Sequence, residues 1–453
     1  MNAKLPFLIV MFGASLISPR VQAEASAQVD TAAGSQKSAP LALSLKDATS
    51  RALTESRKIK KAKADYTVAS AESDVARAAF LPTLYLESNL GTLHDREPSP
   101  GETTRPLTAR DRNQYQAQLV LRQKIFNGFR DLHEVRAKNA ARSEGEWQLK
   151  STALDVSLDV IAQYFGLQRA RAELEAELQV YKLREQQLSE VKSRAAQGRA
   201  TSLEALESEY ALRSQDPTIK SLRRDIAGAS LKLARLTGIG LDESFKLTDD
   251  LTDVGAILGS AKIPDLAKAY EDALRESPQL KKSEATLERL DWERAMDTSA
   301  HLPTISLEAM GGYRSGLRRD FGTEDSLNYS GMINLSVPLF SGLSSFDERR
   351  KNAARMSAAT EEQALVREQL LQDLSDAFRD LELAESKVEA GKKNTELSGK
   401  AVENAKSLFR NGRVTQSNVL DSYSRDLTAR RDYVKSLYDR IMALAKIRSL
   451  TAP

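Results

Sequence analysis

The side chains that usually carry covalent chemistry are few and scattered in this chain. Its three histidines, His94, His133 and His301, have no Asp or Ser partner at motif spacing, and there is no cysteine. Disulfides, thiol catalysis and a lipid-modified cysteine at a mature N-terminus are thereby excluded. No Walker loop, dinucleotide fingerprint or paired-ligand metal spacing occurs, so no enzyme activity, no cofactor and no metal are expected. The informative polar groups are carboxylates set into alternating segments. Glu87 falls between Leu84, Leu86 and Leu90, and Glu308 between Ile305, Leu307 and Ala309. Alternation with period two gives a strand one apolar and one wet face, so Glu87 and Glu308 are expected to line the polar lumen of a barrel.

The elements that must hold these residues are written twice. Phe80–Glu87 reads Phe-Leu-Pro-Thr-Leu-Tyr-Leu-Glu, and 221 positions later His301–Glu308 reads His-Leu-Pro-Thr-Ile-Ser-Leu-Glu. At the same offset Leu45, Ala48, Ala52, Leu53, Glu55 and Ser56 recur as Leu266, Ala269, Ala273, Leu274, Glu276 and Ser277. Beyond the first strand the offset is 214: Tyr115, Leu121, Phe126 and Gly128 recur as Tyr329, Leu335, Phe340 and Gly342. Repeat units of solenoids run to about 50 residues, so this is a duplicated half-molecule.

Each half reads as helix, strand, loop, strand and two very long helices. The first half is Leu45–Ala79, Thr83–Gly91, Asn113–Gln123, Phe129–Ala196 and Ser202–Leu236. The second is Leu266–Ala300, Thr304–Tyr313, Leu327–Val337, Phe346–Arg410 and Thr415–Leu450. Lys4, the apolar run Leu5–Ile17 and Val21-Gln22-Ala23 make residues 1–23 a secretory signal peptide, and 24–43 a flexible tail. The first repeat then spans 44–237, a connecting or equatorial segment 238–264 and the second repeat 265–453. The formal charge of +3 becomes +1 once Lys4 and Arg20 leave with the signal, which does not suggest nucleic acid.

Leu420, Leu427, Val434 and Ile441 with Tyr423, Leu437 and Leu444 form a heptad seam interrupted by Arg430. Leu167, Leu174, Tyr181, Leu188 and Ala195 form another, whose partner positions Arg171, Glu185 and Lys192 are polar. Such seams suit long antiparallel helices packed on both sides. No apolar run approaches the roughly 20 residues of a membrane helix, so a membrane-inserted part must be made of strands. A soluble half-buried sheet shows the same alternation, but the polar faces here are rich in Gln, Asn and Glu. Four strands cannot close a barrel, and an open edge in lipid costs several kcal/mol per unpaired group. Two copies give eight strands, a barrel filled by its own side chains, so a conducting lumen favours three or more.

With these features the chain resembles the TolC family of outer-membrane channel proteins. The likeness rests on the duplication and on Leu81-Pro82-Thr83 and Leu302-Pro303-Thr304 at the first strand of each half. It also rests on Val337-Pro338-Leu339-Phe340-Ser341-Gly342 and on Gly412-Arg413-Val414-Thr415-Gln416-Ser417-Asn418-Val419-Leu420-Asp421. The weaker first-half exit is Gln123-Lys124-Ile125-Phe126-Asn127-Gly128. The resemblance implies a mostly helical fold with a transmembrane β part, in a homotrimer with a twelve-stranded barrel in outer-membrane lipid. Long helices form a periplasmic tunnel below it. The implied function is an exit duct in a Gram-negative tripartite export machine. A periplasmic adaptor and an inner-membrane pump of the ABC or RND type serve it, and the cargo is small toxic compounds or unfolded secreted protein.

By motif position the resemblance puts Asp421 in an acidic ring at the periplasmic aperture, with Asn418 where the family has a second carboxylate. Glu204 and Glu207 stand at the equivalent first-repeat positions. The breaks at Gly198, Arg199 and Thr201 and at Gly412, Arg413 and Thr415 are the implied adaptor-docking tips. The competing reading is a periplasmic coiled-coil adaptor or scaffold, which leaves the four strands unexplained.

Overall fold

A computed structural model describes residues 41–97, 108–240, 245–252, 265–299, 301–315, 318–340, 342 and 344–451. The expected signal peptide, the tail as far as Pro40, the loop through Pro98–Pro106 and much of 238–264 lie outside them. The elements run β1 (Leu41–Leu43), α1 (Leu45–Glu55), α2 (Arg57–Ala78), β2 (Thr83–Glu97), β3 (Thr108–Asn127) and α3 (Arg130–Ala196). They continue with α4 (Ser202–Arg213), α5 (Asp216–Thr237), β4 (Phe245–Leu247), α6 (Leu266–Glu276) and α7 (Pro278–Ser299). The chain ends with β5 (Thr304–Ser315), β6 (Leu327–Ser336), α8 (Ser344–Arg410) and α9 (Gln416–Thr451). The repeat is metric as well as sequential: α3 and α8 each have 67 residues, about 100 Å at 1.5 Å per residue.

Three expected helices are divided. The one from Leu45 breaks at Ser56 and its counterpart at Ser277, both buried and extended (ψ 131° and 120°). In the second repeat Pro278 disfavours helical backbone at Ser277; the first repeat keeps the break with Arg57. The return helix of the first repeat stops at Ser214-Gln215, because Pro217 has no N–H to continue the ladder from α4. Its counterpart α9, without a proline, runs 36 residues unbroken. Leu41–Leu43, the end of the expected tail, is instead a strand paired in parallel with β4. The strands β2 and β3 are also longer than alternation alone marks.

The sheet order is β2-β3-β5-β6, antiparallel throughout. Its register collects the apolar residues on one face: Leu84 opposite Leu121, Leu86 opposite Leu119, Leu307 opposite Ile333 and Ile305 opposite Leu335. Leu86, Leu90, Ile333 and Leu335 are 65–74 % exposed, which is a lipid-facing surface rather than a core. Aromatic rings bracket it. Phe321 packs on Tyr115 and Tyr313 at 6.3 and 6.2 Å at one end, and Phe126 meets Phe129 edge-on at 5.1 Å at the other. Tyr115 and Phe126 are eleven residues apart. At about 3.3 Å per residue and a tilt of roughly 40°, that separates the rings by about 28 Å, close to the apolar band of a membrane barrel. No helix among the described residues is long and apolar enough to cross a membrane.

The long helices stand side by side as a wall, with α1 laid against α3 and α5 and α6 against α8 and α9. Near the sheet the neighbours run α2, α3, α7, α8; further away they run α5 and α4, α3, α9, α8. Burial on α3 is therefore spread over two faces. Of its expected seam only Leu167 is fully buried, while Val180, Gln187 and Val191 are buried beside it. Two cores sit at equivalent places. Val156, Val160, Leu167 and Leu233 belong to one, and Leu370, Leu374, Leu381 and Ile447, each 214 positions on, to the other. Beside the first, the Tyr164 hydroxyl donates to Leu43 O (2.9 Å) or Asp249 Oδ2 (2.9 Å) and accepts from Thr248 N (3.2 Å). Asp249 Oδ2 also accepts from Leu45 N (2.5 Å) at the start of α1, tying β1, β4 and α1 to the wall.

Candidate functional site

The face opposite the leucines carries Tyr85, Glu87 and Asn89 on β2 and Gln114, Gln116, Gln118 and Arg122 on β3. Glu308 and Arg314 on β5 and Asn328 and Asn334 on β6 share it, together with the apolar Val120, Met310 and Met332. Register places Glu87 opposite Gln118 and Arg122 opposite both Thr83 and Glu308. Arg122 Nε donates to Glu308 Oε2 at 2.9 Å, and its guanidinium lies 5.5 Å from the Tyr85 ring centre. Glu308 is therefore a neutralised charge, with a side chain only 17 % exposed. Glu87 is exposed on the edge strand. The glutamines hydrogen-bond in series, Gln114 Nε2 to Gln116 Oε1 (3.1 Å) and Gln116 Nε2 to Gln118 Oε1 (2.6 Å). Among the described residues the wet face is an amide ladder with one cross-strand ion pair.

At the far end of the wall the two breaks are built alike. Gly198 and Gly412 take left-handed backbone (φ +71° and +70°), where an L residue is strained. Gly198 N donates to Ala195 O (3.0 Å) and Arg199 N to Arg194 O (2.8 Å). Gly412 N donates to Phe409 O (3.0 Å) and Arg413 N to Leu408 O (2.9 Å). These paired bonds are the Schellman closure of a helix C-terminus. Thr201 then caps the first return helix, and Thr415 stands at the equivalent place before the second. In the first, Glu204 N donates to Thr201 Oγ1 (3.2 Å) while Thr201 N donates to Glu204 Oε2 (3.2 Å), a reciprocal capping box. In the second, Thr415 Oγ1 donates to the amide oxygen of Asn418 (3.1 Å). Glu204 and Asn418 thus have a local structural task that the motif comparison did not show. Glu207 and Asp421, one turn on, are exposed.

The tips are joined across the repeats. The Arg194 guanidinium lies 5.6 Å from the Phe409 ring centre, and Gln416 Nε2 donates to Ser208 Oγ (2.6 Å). Arg184 on α3 donates to Ala211 O on α4 (2.7 Å) and to Ser424 Oγ on α9 (3.2 Å). Burial at that crossing draws its pKa below the usual guanidinium range. Glu177, buried in α3, is paired with Arg431 of α9 at 2.6 Å. The Lys192 ammonium, 3.3 Å away, holds the Glu209 carboxyl below its ordinary range.

The outer membrane efflux protein family matches residues 48–239 and 269–452, one match on each repeat. The outer membrane efflux protein BepC of Brucella suis is 22% identical over 329 residues, 72% of this chain and 69% of the relative. The CmeC outer membrane channel of Campylobacter jejuni superposes with a TM-score of 0.80 at 15% identity, covering 90% of this chain and 85% of that one. The open MtrE channel of Neisseria gonorrhoeae gives 0.75 at 16% identity, covering 90% and 88%. Channels of this kind are trimeric and carry out no catalysis. With a lipid-facing apolar sheet, a wet opposite face and two matched repeats, this chain belongs to the outer membrane efflux protein family, the TolC-like outer-membrane channels of tripartite export systems.

Proposed function

We propose that three copies of this chain form one duct whose periplasmic mouth is an acidic ring built from Asp421, Glu207 and Glu204. Asn418 supplies an uncharged place in it. The carrying observation is that these four residues are exposed in the first two turns beyond two helix closures with the same hydrogen bonds. Three-fold repetition turns each into a ring, and rings of carboxylates select cations. The turns at Gly198, Arg199, Thr201 and Gly412, Arg413, Thr415 are the surface on which a periplasmic adaptor docks, delivering cargo from an inner-membrane pump. Replacing Asp421 with Ala is expected to weaken block by multivalent cations in planar bilayers about tenfold, the equivalent of about 1.4 kcal/mol. Unchanged block would remove Asp421 from the mouth.

Glu87 and Glu308 belong to the barrel lumen in this reading. Because Glu308 neutralises Arg122, Glu308→Gln is expected to shift ion selectivity towards anions, measured as a reversal potential across a salt gradient. An unshifted reversal potential would place the pair off the conducting path. The efflux designation of the family and of the Brucella relative supports small toxic compounds as cargo, ahead of an unfolded polypeptide. A deletion strain is then more susceptible to such compounds, with an unchanged set of proteins in its culture supernatant. Loss of one large secreted protein would reverse that assignment.

A further inference from the structure

The break between α1 and α2 opens a helix N-terminus that no side chain caps. In the second repeat Pro278 accounts for the matching break, whereas the first repeat keeps it with Arg57 in that place. The first amides of a helix have no acceptor inside it and carry the positive end of its dipole. Ser56 stands at the N-cap of α2, yet its side chain accepts no capping bond, and the first turn holds no acidic residue. Ser56 is 3 % exposed, and its hydroxyl has no hydrogen-bond partner among the described residues. Arg57 and Lys58 add positive charge at this end, the opposite of what the dipole favours.

An open cavity of about 290 Å³ lies at this point, lined by Ser56, Arg57 and Lys58 with Asp159 of α3 and Lys232 and Arg235 of α5. The one carboxylate among these residues is already engaged, with Lys58 Nζ 2.7 Å from Asp159 Oδ2. Glu55, next along the chain, is held by Lys60 at 2.7 Å. Arg57, Lys232 and Arg235 form no ion pair among the described residues. Four cations against one carboxylate leave a local charge of +3. The second repeat lacks this chemistry. Pro278, Gln279 and Ser449 stand where Arg57, Lys58 and Arg235 do. Lys446, the counterpart of Lys232, is bound at 3.1 Å to Asp373, the counterpart of Asp159. The fold alone therefore does not require the cationic cluster.

We propose that this cavity binds the phosphate group of a water-soluble compound. Guanidinium forks match phosphate oxygens, and the α2 amides and the buried Ser56 hydroxyl supply further donors. A phosphate monoester brings a charge of about −1.5 to −2 at neutral pH. A lone carboxylate would leave two of the three free cations uncompensated. From here α2 runs 22 residues towards the sheet, about 33 Å at 1.5 Å per residue. Headgroups of the bilayer around the sheet are therefore out of reach, and the source is a dissolved phosphate, either the inorganic ion or a small monoester. Once bound, it clamps α2, α3 and α5 together where the wall passes from α2 to α5. The site stands apart from the mouth and the cargo proposed above.

The test is isothermal titration calorimetry of the full-length, detergent-solubilised protein in low-chloride buffer, with inorganic phosphate and glycerol 3-phosphate as probes. Saturable binding of one phosphate per chain is expected for at least one probe. Glycerol 3-phosphate binding as tightly as the ion assigns the cavity to monoesters, and its exclusion assigns it to the free ion. Arg57→Gln combined with Arg235→Ser is expected to weaken binding at least about tenfold. Ser56→Ala should weaken it about threefold and leave the melting temperature without phosphate unchanged, since the hydroxyl then has no partner to lose. Lys46→Gln, exposed on α1, controls for bulk charge and should change the affinity less than about twofold. No saturation by either probe, unchanged affinity in the site variants, or an equal loss in Lys46→Gln overturns the phosphate site.

Discussion

With Gly312 replaced by valine, the chain is expected to yield no heat-modifiable trimer in outer-membrane fractions. A Cβ at Gly312 would lie 2.2 Å from Ala117 O and 2.6 Å from Gln118 Cα, both backbone atoms of the facing strand. No rotamer change relieves such a clash, so β5 must draw away from β3. Ordinary overpacking of a core costs about 1–3 kcal/mol. Parting two strands in lipid adds several kcal/mol for every unpaired group, which is comparable with the whole stability of a domain. Gly91 stands 221 residues before Gly312, on edge strand β2, and nothing in the same copy lies within 4 Å of its would-be Cβ. By the symmetry of the repeat its close neighbour is β6 of another copy. Gly91→Val should therefore spare the sheet within each chain and still abolish the trimer. Trimer at the unsubstituted level in both variants would exclude this closure.

The second large effect is expected at Tyr164, which is completely buried. Its ring packs edge-to-face on Phe165 at 5.2 Å, and its hydroxyl joins Leu43 O, Asp249 and the Thr248 amide. Burial, the largest influence on it, pushes the phenol pKa up, so the hydroxyl stays protonated and able to donate. Tyr164→Ala leaves a ring-sized cavity worth about 3–5 kcal/mol. Tyr164→Phe keeps the ring and strands the polar groups around it, at about 1–3 kcal/mol. The counterpart of Tyr164 in the second repeat is Phe378, packed against a core beside which no strand pair lies among the described residues. The hydroxyl therefore joins β1 to the residues that follow β4. Thermal unfolding of the detergent-solubilised protein should rank the variants wild type, Phe, Ala. A Phe variant as stable as wild type would show that Asp249 holds the strands without it.

The architecture was legible because duplication makes every signal occur twice. Gly198-Arg199 and Gly412-Arg413 ended the long helices where the structure ends them, and apolar alternation sorted the residues of all four strands onto the two faces that the register shows. What stayed hidden depends on pairing across distance. Arg122 and Glu308 are 186 positions apart, and no local pattern says that β3 lies beside β5. The three-residue strands β1 and β4 are too short to show a period. Other features had readable signals. Thr201-x-x-Glu204 has the capping-box spacing, and Pro217 and Pro278 mark two of the helix breaks. The break at Ser56 has no such marker, since its neighbours are ordinary helix formers.

The unpaired edges of β2 and β6 also bear on how the protein comes into being. Its sheet has no folded reference state as a single chain in lipid, so closing the barrel is a termolecular reaction, and barrel stability depends on how many chains share the membrane. While closed barrels are the minor species, halving the supply of chains lowers their equilibrium number about eightfold. A cell that makes slightly too little of this protein would lose far more than its share of exits, and expression level becomes a steep control on export.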